Sequence, residues 1–231
     1  MQKTFATPAP VTAIVAVPAG RIQVAAADRA ETTVEVRPAD PAKRRDVKLA
    51  GRVTATCSDG VVRVTAPAGP RALGSSGAVE VRVALPAGSR VQVTAASAQF
   101  TTTGRLGDVT IDSPHATVTV AEAATARLAT VDGTITVGRL GGDAQVRTVK
   151  GDIRITEATR GTVVLRTQAG AITIGAAAGT CATLDAGTTT GRIRNALANS
   201  GATPALTICA TTTTGDITAA TRQQHDALTS A

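Results

Sequence analysis

The chain has 231 residues, of which 43% are hydrophobic and only 1% aromatic, and its formal net charge at pH 7 is +7. Its length allows one long all-β domain or two small ones. Large aromatic side chains usually supply much of the area that a globular sandwich buries, so their scarcity favours thin coils filled by Val, Ile, Leu, Ala and Thr. The basic charge predicts attraction to acidic surfaces, but most basic residues are single arginines, as on an ordinary solvated face.

The N-terminal segment has no apolar run of the length that a secretion signal needs. No stretch of about twenty apolar residues occurs later in the chain, because Gly, Pro, Asp or Arg interrupts each one. We therefore expect a cytoplasmic protein without a transmembrane segment.

Residues 1–96 are predicted to form an antiparallel, β-rich cap built from three hairpins. Short stretches of alternating apolar and polar residues flank three turn sequences, at residues 18–20, 58–60 and 86–88. Pro and Gly at these turns favour the backbone angles that tight turns require.

Two stretches rich in helix and strand breakers, residues 38–45 and 67–77, are predicted to be loops. The one dense basic cluster is expected in or beside the first of them and consists of Lys43, Arg44, Arg45 and Lys48.

Residues 97–222 are predicted to form a parallel β-solenoid, because one short phrase recurs in them. The phrase is Thr, two variable residues, Gly, one residue and a β-branched aliphatic, and it occupies residues 130–135, 148–153, 167–172, 188–193 and 212–217. Its glycines are spaced by 18, 19, 21 and 24 residues, a period too short for pairs of helices and typical of stacked β-coils. Residues 223–231 are expected to be a tail or a cap.

Stacking these coils in chain order predicts two ladders of interior side chains and one outward row between them. The first ladder is Val109, Ile135, Ile153, Ile172, Ile193 and Ile217. The second is Ile111, Val137, Ile155 and Ile174, and it ends in Asn195 and Ala219, as expected near a capped end. The outward row is Thr110, Thr136, Arg154, Thr173, Arg194 and Thr218, where the two arginines interrupt the flat threonine array that ice binding would need.

Five aspartates near the predicted turns are the candidates for acid chemistry: Asp108, Asp132, Asp143, Asp152 and Asp216. Aspartates on a solenoid can bind calcium or cleave polysaccharide, but glycoside chemistry needs two carboxyl groups within several ångströms. We expect instead that these side chains bond their own backbone as turn residues do.

Other catalytic and ligand-binding signatures are missing from the sequence. Cys57, Cys181 and Cys209 have no metal-ligand spacing and are expected to be reduced, buried, small hydrophobic residues. His115 and His225 have no metal-ligand partner at a suitable spacing. No nucleophile elbow or phosphate-binding loop occurs, so we assign no catalytic, cofactor-binding or metal-binding residue and no cofactor.

The sequence resembles a putative-adhesin-like family of β-strand repeats, a bacterial family of unknown function. The residues that carry the resemblance are the stretch V-A-L-P-A-G-S-R-V-Q-V at residues 83–93 and the repeats that follow it through residues 215–217. The resemblance implies a β-solenoid with a β-rich N-terminal cap, and it offers no catalytic residue.

The function predicted from these features is a non-enzymatic interaction or scaffold module. Rigid coils would present outward Thr, Arg and Asp side chains to a protein partner, and unpaired strand edges would allow self-association. One alternative is a protein that binds carbohydrate or acts on polysaccharide. The other is binding of nucleic acid or another polyanion through the basic charge, which salt would weaken.

Overall fold

The computed structural model describes residues 1–67, 77–199 and 203–222, and these form 17 β-strands and one short helix. Most of the predicted loop at residues 67–77, the predicted tail at residues 223–231 and His225 lie outside the described residues. The first half of the chain contains β1 (Gln2–Ala6), β2 (Thr12–Ala27), β3 (Glu31–Pro38), α1 (Arg44–Ala50), β4 (Thr54–Ser58), β5 (Val61–Thr65), β6 (Val79–Pro86), β7 (Arg90–Thr103) and β8 (Arg105–Asp132).

The second half contains shorter strands, two for each coil. They are β9 (Ile135–Leu140), β10 (Ala144–Arg147), β11 (Ile153–Ala158), β12 (Gly161–Arg166), β13 (Ile172–Ala176), β14 (Ala182–Thr190), β15 (Ile193–Ala196), β16 (Leu206–Thr214) and β17 (Ile217–Thr221). The all-β class and the parallel solenoid are confirmed.

The strands form two long faces. The first face runs in the order β4, β5, β2, β7, β8, β10, β12, β16 and β14, and the second runs β1, β3, β6, β2, β7, β8, β9, β11, β13, β17 and β15. The long strands β2, β7 and β8 contribute to both faces because each bends from one to the other. Inward side chains from both faces belong to one hydrophobic core.

Antiparallel pairing is confined, among the described residues, to three strand pairs near the N-terminus, β1 with β3, β3 with β6, and β4 with β5. The predicted hairpin at residues 58–60 is confirmed as the β4–β5 hairpin, and Asp59 and Gly60 have the positive φ angles, 50° and 72°, that a tight hairpin turn uses.

The other two predicted hairpins are wrong. Residues 12–27 are the single strand β2, which pairs in parallel with β7 and bends near residues 18–20. Strands β6 and β7 both pair in parallel with β2 and not with each other. Pro and Gly therefore form a corner between the two faces at these sites, where the chain changes face and the two flanking segments do not pair with each other.

The predicted loop that holds the basic cluster contains a helix. Arg44, Arg45 and Lys48 lie on α1, which packs on β3 and β6, and Lys43 is the residue before it. Asp46 is buried and accepts a hydrogen bond from the backbone N–H of Ala78 at 3.0 Å, which ties the helix to the start of β6. The predicted division at residue 96 stays a prediction, and β7 runs across it.

The order of coils in the stack differs from their order in the chain. Strands β16 and β17 lie between the β12–β13 coil and the β14–β15 coil, so the last coil of the chain is inserted and β14–β15 forms the end of the stack. The first interior ladder consequently runs from Ile172 to Ile217 and then to Ile193.

The start of the ladders also differs from the prediction. Val118 and Val120 pair with Ile135 and Val137, whereas Val109 pairs on the first face with β7. Val109, Ile111 and Thr110 are therefore not rungs of the predicted ladders and outward row. The prediction failed because β8 bends from one face to the other between the two segments.

The repeated threonine and glycine connect neighbouring coils at one corner between the faces, which we call the Thr corner (residues 130–133, 148–151, 167–170, 188–191 and 212–215). The threonine hydroxyl donates to the glycine carbonyl of the adjacent coil in three cases: Thr167 to Gly151 (3.1 Å), Thr212 to Gly170 (3.1 Å) and Thr188 to Gly215 (3.0 Å). These bonds satisfy carbonyl groups where the chain leaves the regular strand pairing.

Candidate functional site

The candidate aspartates mostly serve to connect coils. Asp152 accepts a hydrogen bond from the backbone N–H of Ala171 at 2.8 Å, and Asp216 accepts one from that of Arg192 at 2.9 Å. In both cases the donor follows the repeated glycine of the adjacent coil. The prediction that these aspartates bond their own backbone is wrong, because stacking brings the next coil's N–H closer.

Two further candidate aspartates have similar roles. Asp143 accepts a hydrogen bond from the backbone N–H of Thr162 at 2.8 Å. The Asp108 carboxylate receives the hydroxyl of Thr125 and the Nε–H of Arg90, both at 2.8 Å, and these bonds hold the pKa of Asp108 below its ordinary value. A carboxylate held ionised in this way suits a structural ion pair better than a general acid.

Asp132 is exposed, and its backbone forms an isolated parallel β-bridge with that of Lys150.

Cysteine and histidine form no reactive constellation in the part of the chain that the structure describes. None of the three cysteines forms a disulfide with another described residue; Cys181 is buried, whereas Cys57 and Cys209 are half-buried rather than buried as predicted. His115 is exposed. Within residues 1–67, 77–199 and 203–222, no group of three or more His, Cys, Asp or Glu side chains could hold a metal ion.

Two arginines lie side by side at the C-terminal ends of two neighbouring strands of the first face. Arg147 on β10 and Arg166 on β12 are direct partners in the parallel pairing, so their backbones are separated by about 4.8 Å. Both side chains are exposed, and neither forms a hydrogen bond or ion pair with another described residue. Like charges at directly opposed strand positions repel each other, so this site favours an anion that contacts both guanidinium groups.

Two exposed valines adjoin the arginines on the Thr corner. Val131 and Val149 are 49% and 39% exposed, and the backbone N–H of Val149 donates to the Val131 carbonyl at 3.1 Å, so the two residues are neighbours on adjacent coils. Gln168 continues the row through the hydrogen bond from its N–H to the Val149 carbonyl.

We call this surface the Arg–Val groove and define it by Arg147, Arg166, Val131, Val149 and Gln168. Its cavity measures about 500 Å³, and the exposed carboxylate of Asp112 lies at its wall. The groove therefore combines paired positive charge, an apolar strip and one acidic boundary, a pattern suited to binding an extended ligand with both acidic and apolar groups.

The sequence contains a pattern that predicts this groove, but the predicted ladders and outward row do not include it. The residue before the repeated threonine is Ala129, Arg147, Arg166 or Thr211 in successive coils of the stack. Aligning the repeats on that position places the two arginines side by side. The predicted outward row does form on the second face without Thr110, and along the stack it runs Thr136, Arg154, Thr173, Thr218 and Arg194.

A second depression lies on the outer side of β1, β3, β6, β2 and β7. It measures about 450 Å³, and its lining includes Gln23, Ala25, Glu35 and Arg82. Its charged groups already have partners, because Arg82 pairs with Glu80 and Glu35 with Arg37. This depression therefore offers a ligand fewer unsatisfied groups than the Arg–Val groove.

The helix in the described part of the chain, α1, is too short to cross a membrane.

The chain is similar to several solved structures, and the first of them supports the fold. A putative adhesin from Bacteroides fragilis has 11% sequence identity and a TM-score of 0.54, and the match covers 95% of this chain and 96% of that one. A putative adhesin from Parabacteroides distasonis has 13% identity and a TM-score of 0.48, covering 94% and 96%. A putative lipid binding protein from the same species has 8% identity and a TM-score of 0.39, covering 94% and 96%.

No curated protein matches the sequence. The sequence model of the Toastrack family, DUF4097, matches residues 15–230, and the chain belongs to that family.

Proposed function

We propose that this protein is a non-enzymatic interaction module and that the Arg–Val groove binds an extended acidic segment of a partner protein. The observation that carries the proposal is the direct pairing of Arg147 with Arg166, both exposed and both without a partner among the described residues. A carboxylate that contacts both guanidinium groups would relieve their repulsion and form charge-assisted hydrogen bonds.

The valines favour a protein segment over other anions. Val131 and Val149 offer an apolar strip beside the arginines, which an aliphatic or aromatic side chain of a peptide would cover. Recognition of single-stranded nucleic acid usually relies on aromatic stacking platforms, but the chain has two phenylalanines, of which Phe100 is buried and Phe5 is half-buried. Asp112 would also repel a continuous polyanion.

Rigidity of the groove would add to affinity. Its arginines lie on paired strands, and the Thr corner, to which the valines belong, is held by backbone hydrogen bonds between coils. A surface that is already ordered loses little conformational entropy on binding, so each weak contact contributes more to the free energy of association.

The experiment compares wild type with two charge-reversal variants as baits in lysate of the native host. The groove variant is Arg147→Glu with Arg166→Glu. The control is Arg52→Glu with Arg63→Glu, which changes the net charge equally at exposed arginines that also lack side-chain partners among the described residues. Bound species are washed at low and high salt and identified by mass spectrometry, and acidic segments of any captured protein are then titrated as peptides.

We expect wild type and control to retain the same discrete protein and the groove variant to bind its acidic peptide at least about tenfold more weakly, since hydrogen bonds to charged groups contribute roughly 1.5–3 kcal/mol. Equal binding by all three chains would contradict the proposal. Capture of nucleic acid or acidic carbohydrate alone, lost as salt rises, would instead support the polyanion or carbohydrate alternative.

We further propose that the protein acts in the cytoplasm. Cell fractionation with an antibody against the full chain tests this, and recovery from the cell surface or the medium would contradict it. In that case an adhesive role, as in the description of the Bacteroides fragilis neighbour, becomes the better proposal.

A further inference from the structure

The coil formed by β14 and β15 ends the stack and leaves its inward side exposed. Ile193 is 45% exposed, whereas Ile217 and Ile172, at the same position of the two coils beneath it, are fully buried. Leu184 and Ala186 of β14 are only partly buried. Leu197 also packs against this end of the core, but Ile193 stays largely exposed, so the described residues cover this end only in part.

The backbone at this end is also unpaired on one side. Among the described residues β14 pairs only with β16, and β15 only with β17. The side chain of Asn199 substitutes for a neighbouring strand at one residue: it accepts from the N–H of Ala182 and donates to its carbonyl, both at 2.9 Å. Beyond Ala182, the outer groups of β14 are open to pairing with another strand, so we call the outer side of β14 and β15 the terminal edge.

The terminal edge lacks the features that usually block strand pairing. Neither β14 nor β15 contains lysine or proline, and their charged residues are Asp185 and Arg194, one of each sign and on different faces. Inward charges, edge lysines and prolines are the common means by which proteins prevent edge-to-edge association. Their absence from these two strands leaves the edge suited to adding a strand.

The opposite end of the stack is closed. Inward Ala55 lies on β4, the strand at this end of the first face, and is fully buried. Lys3 on the edge strand β1 donates from Nζ to the Ala55 carbonyl at 2.8 Å, so its side chain spans the two faces. The two ends therefore differ, and head-to-tail stacking of copies would join an open edge to a protected one.

We propose that the terminal edge binds the terminal edge of a second copy of this chain, related by a twofold axis. That axis makes β14 antiparallel to its counterpart and β15 antiparallel to its counterpart, so both edges are paired at once and the exposed ends of the two cores cover each other. The contact is isologous, so it closes at a dimer and leaves no edge for a fibre.

The size of the edge sets the expected affinity. Strand β14 has nine residues and β15 has four, whereas a standard stable interface uses roughly 20–30 residues from each partner. We therefore expect a dimer that dissociates on the order of micromolar concentration.

Sedimentation equilibrium of the full chain over a concentration series tests the proposal. We expect a monomer–dimer equilibrium. Ile193→Lys should abolish the dimer, because it would place a charge in the interface between the two copies. Leu184→Lys is a second variant at the same edge. The matched control is Val47→Lys on α1, an apolar side chain of similar exposure, 47%, away from this end, and it should dimerise like wild type. Circular dichroism checks that each variant is folded.

Four results would overturn the proposal: a chain that stays monomeric at every concentration, a dimer that survives both edge variants, a dimer that Val47→Lys disrupts, or assemblies that keep growing beyond two copies. A truncated chain that ends at Arg222 tests whether residues 223–231, and not a second copy, occupy the terminal edge. If that truncated chain dimerises while the full chain does not, residues 223–231 occupy the edge and the second copy does not.

Discussion

Replacing Gly151 with alanine should destabilise the solenoid strongly for a change of one methyl group. A Cβ built on Gly151 would lie 2.2 Å from the carbonyl oxygen of Gly133 in the adjacent coil, and the φ angle of Gly151 is +140°. An ordinary Cβ contact is 3.4–4 Å, so the two coils must separate locally by more than 1 Å, as a rough estimate from close-packed interiors.

The expected magnitude has two parts. Holding an alanine at that φ costs about 1–3 kcal/mol. Separating the coils weakens the hydrogen bond from the N–H of half-buried Gly133 to the Lys150 carbonyl, now 2.9 Å, and the loss of such a bond costs about 0.5–1.5 kcal/mol. Together they predict a loss of about 1.5–4.5 kcal/mol, which would lower the melting temperature by roughly 10 °C in a chain of this size.

Two control glycines separate the parts. Gly60 has a φ of +72° and no atom within 4 Å of the position that a Cβ would take, so Gly60→Ala should show the cost of a left-handed φ without any clash. Gly187 has neither constraint, and Gly187→Ala should change stability by less than about 1 kcal/mol. Denaturant unfolding followed by circular dichroism measures all three. If Gly151→Ala costs no more than Gly60→Ala, the close approach of the coils is not what requires glycine.

Three further predictions use matched positions. Thr167→Val should lower the free energy of unfolding by about 1 kcal/mol, because the Thr167 hydroxyl donates to a carbonyl. Thr130→Val should be neutral or stabilising, because the buried Thr130 hydroxyl has no partner among the described residues. Equal losses of the two variants in denaturant unfolding would refute this. Ile153→Ala should lower the free energy of unfolding by about 2–5 kcal/mol, because Ile153 is only 1% exposed. Ile193→Ala should lower it by less than about 1 kcal/mol in the monomer, because Ile193 is 45% exposed. Equal unfolding free energies for the two variants would contradict the coil order. Asp108→Asn should cost less than about 1 kcal/mol at neutral pH, since the ion pair is exposed. Because the pKa of Asp108 is lowered in the folded state, wild type is more stable than Asp108→Asn above about pH 4 and loses this difference as the pH falls through the folded pKa. A difference between the two unfolding free energies that grows on acidification would refute the ion-pair role of Asp108.

Local pattern was sufficient for much of the solenoid. The recurring threonine and glycine predicted the coils because each meets a local requirement of the corner. The threonine hydroxyl donates a hydrogen bond, and the glycine has no side chain to clash with the adjacent coil. Alternation of Ile153 with Arg154 and Ile155 predicted which side chains face the core, since successive strand residues point to opposite sides. Turn chemistry was less decisive: Pro and Gly favour a change of direction at residues 18–20, but a solenoid corner and a hairpin both use one.

The sequence by itself determined the all-β class, the parallel coils and the small side chains that fill them. The tertiary structure decided which coil lies on which, because every coil offers nearly the same inward pattern and only long-range packing distinguishes them. It placed the coil of Ile217 inside the stack and the coil with inward Asn195 at its end, where a polar side chain is exposed in the single chain. It also brought Arg147 beside Arg166, since residues 19 positions apart become neighbours only when the coils stack in register.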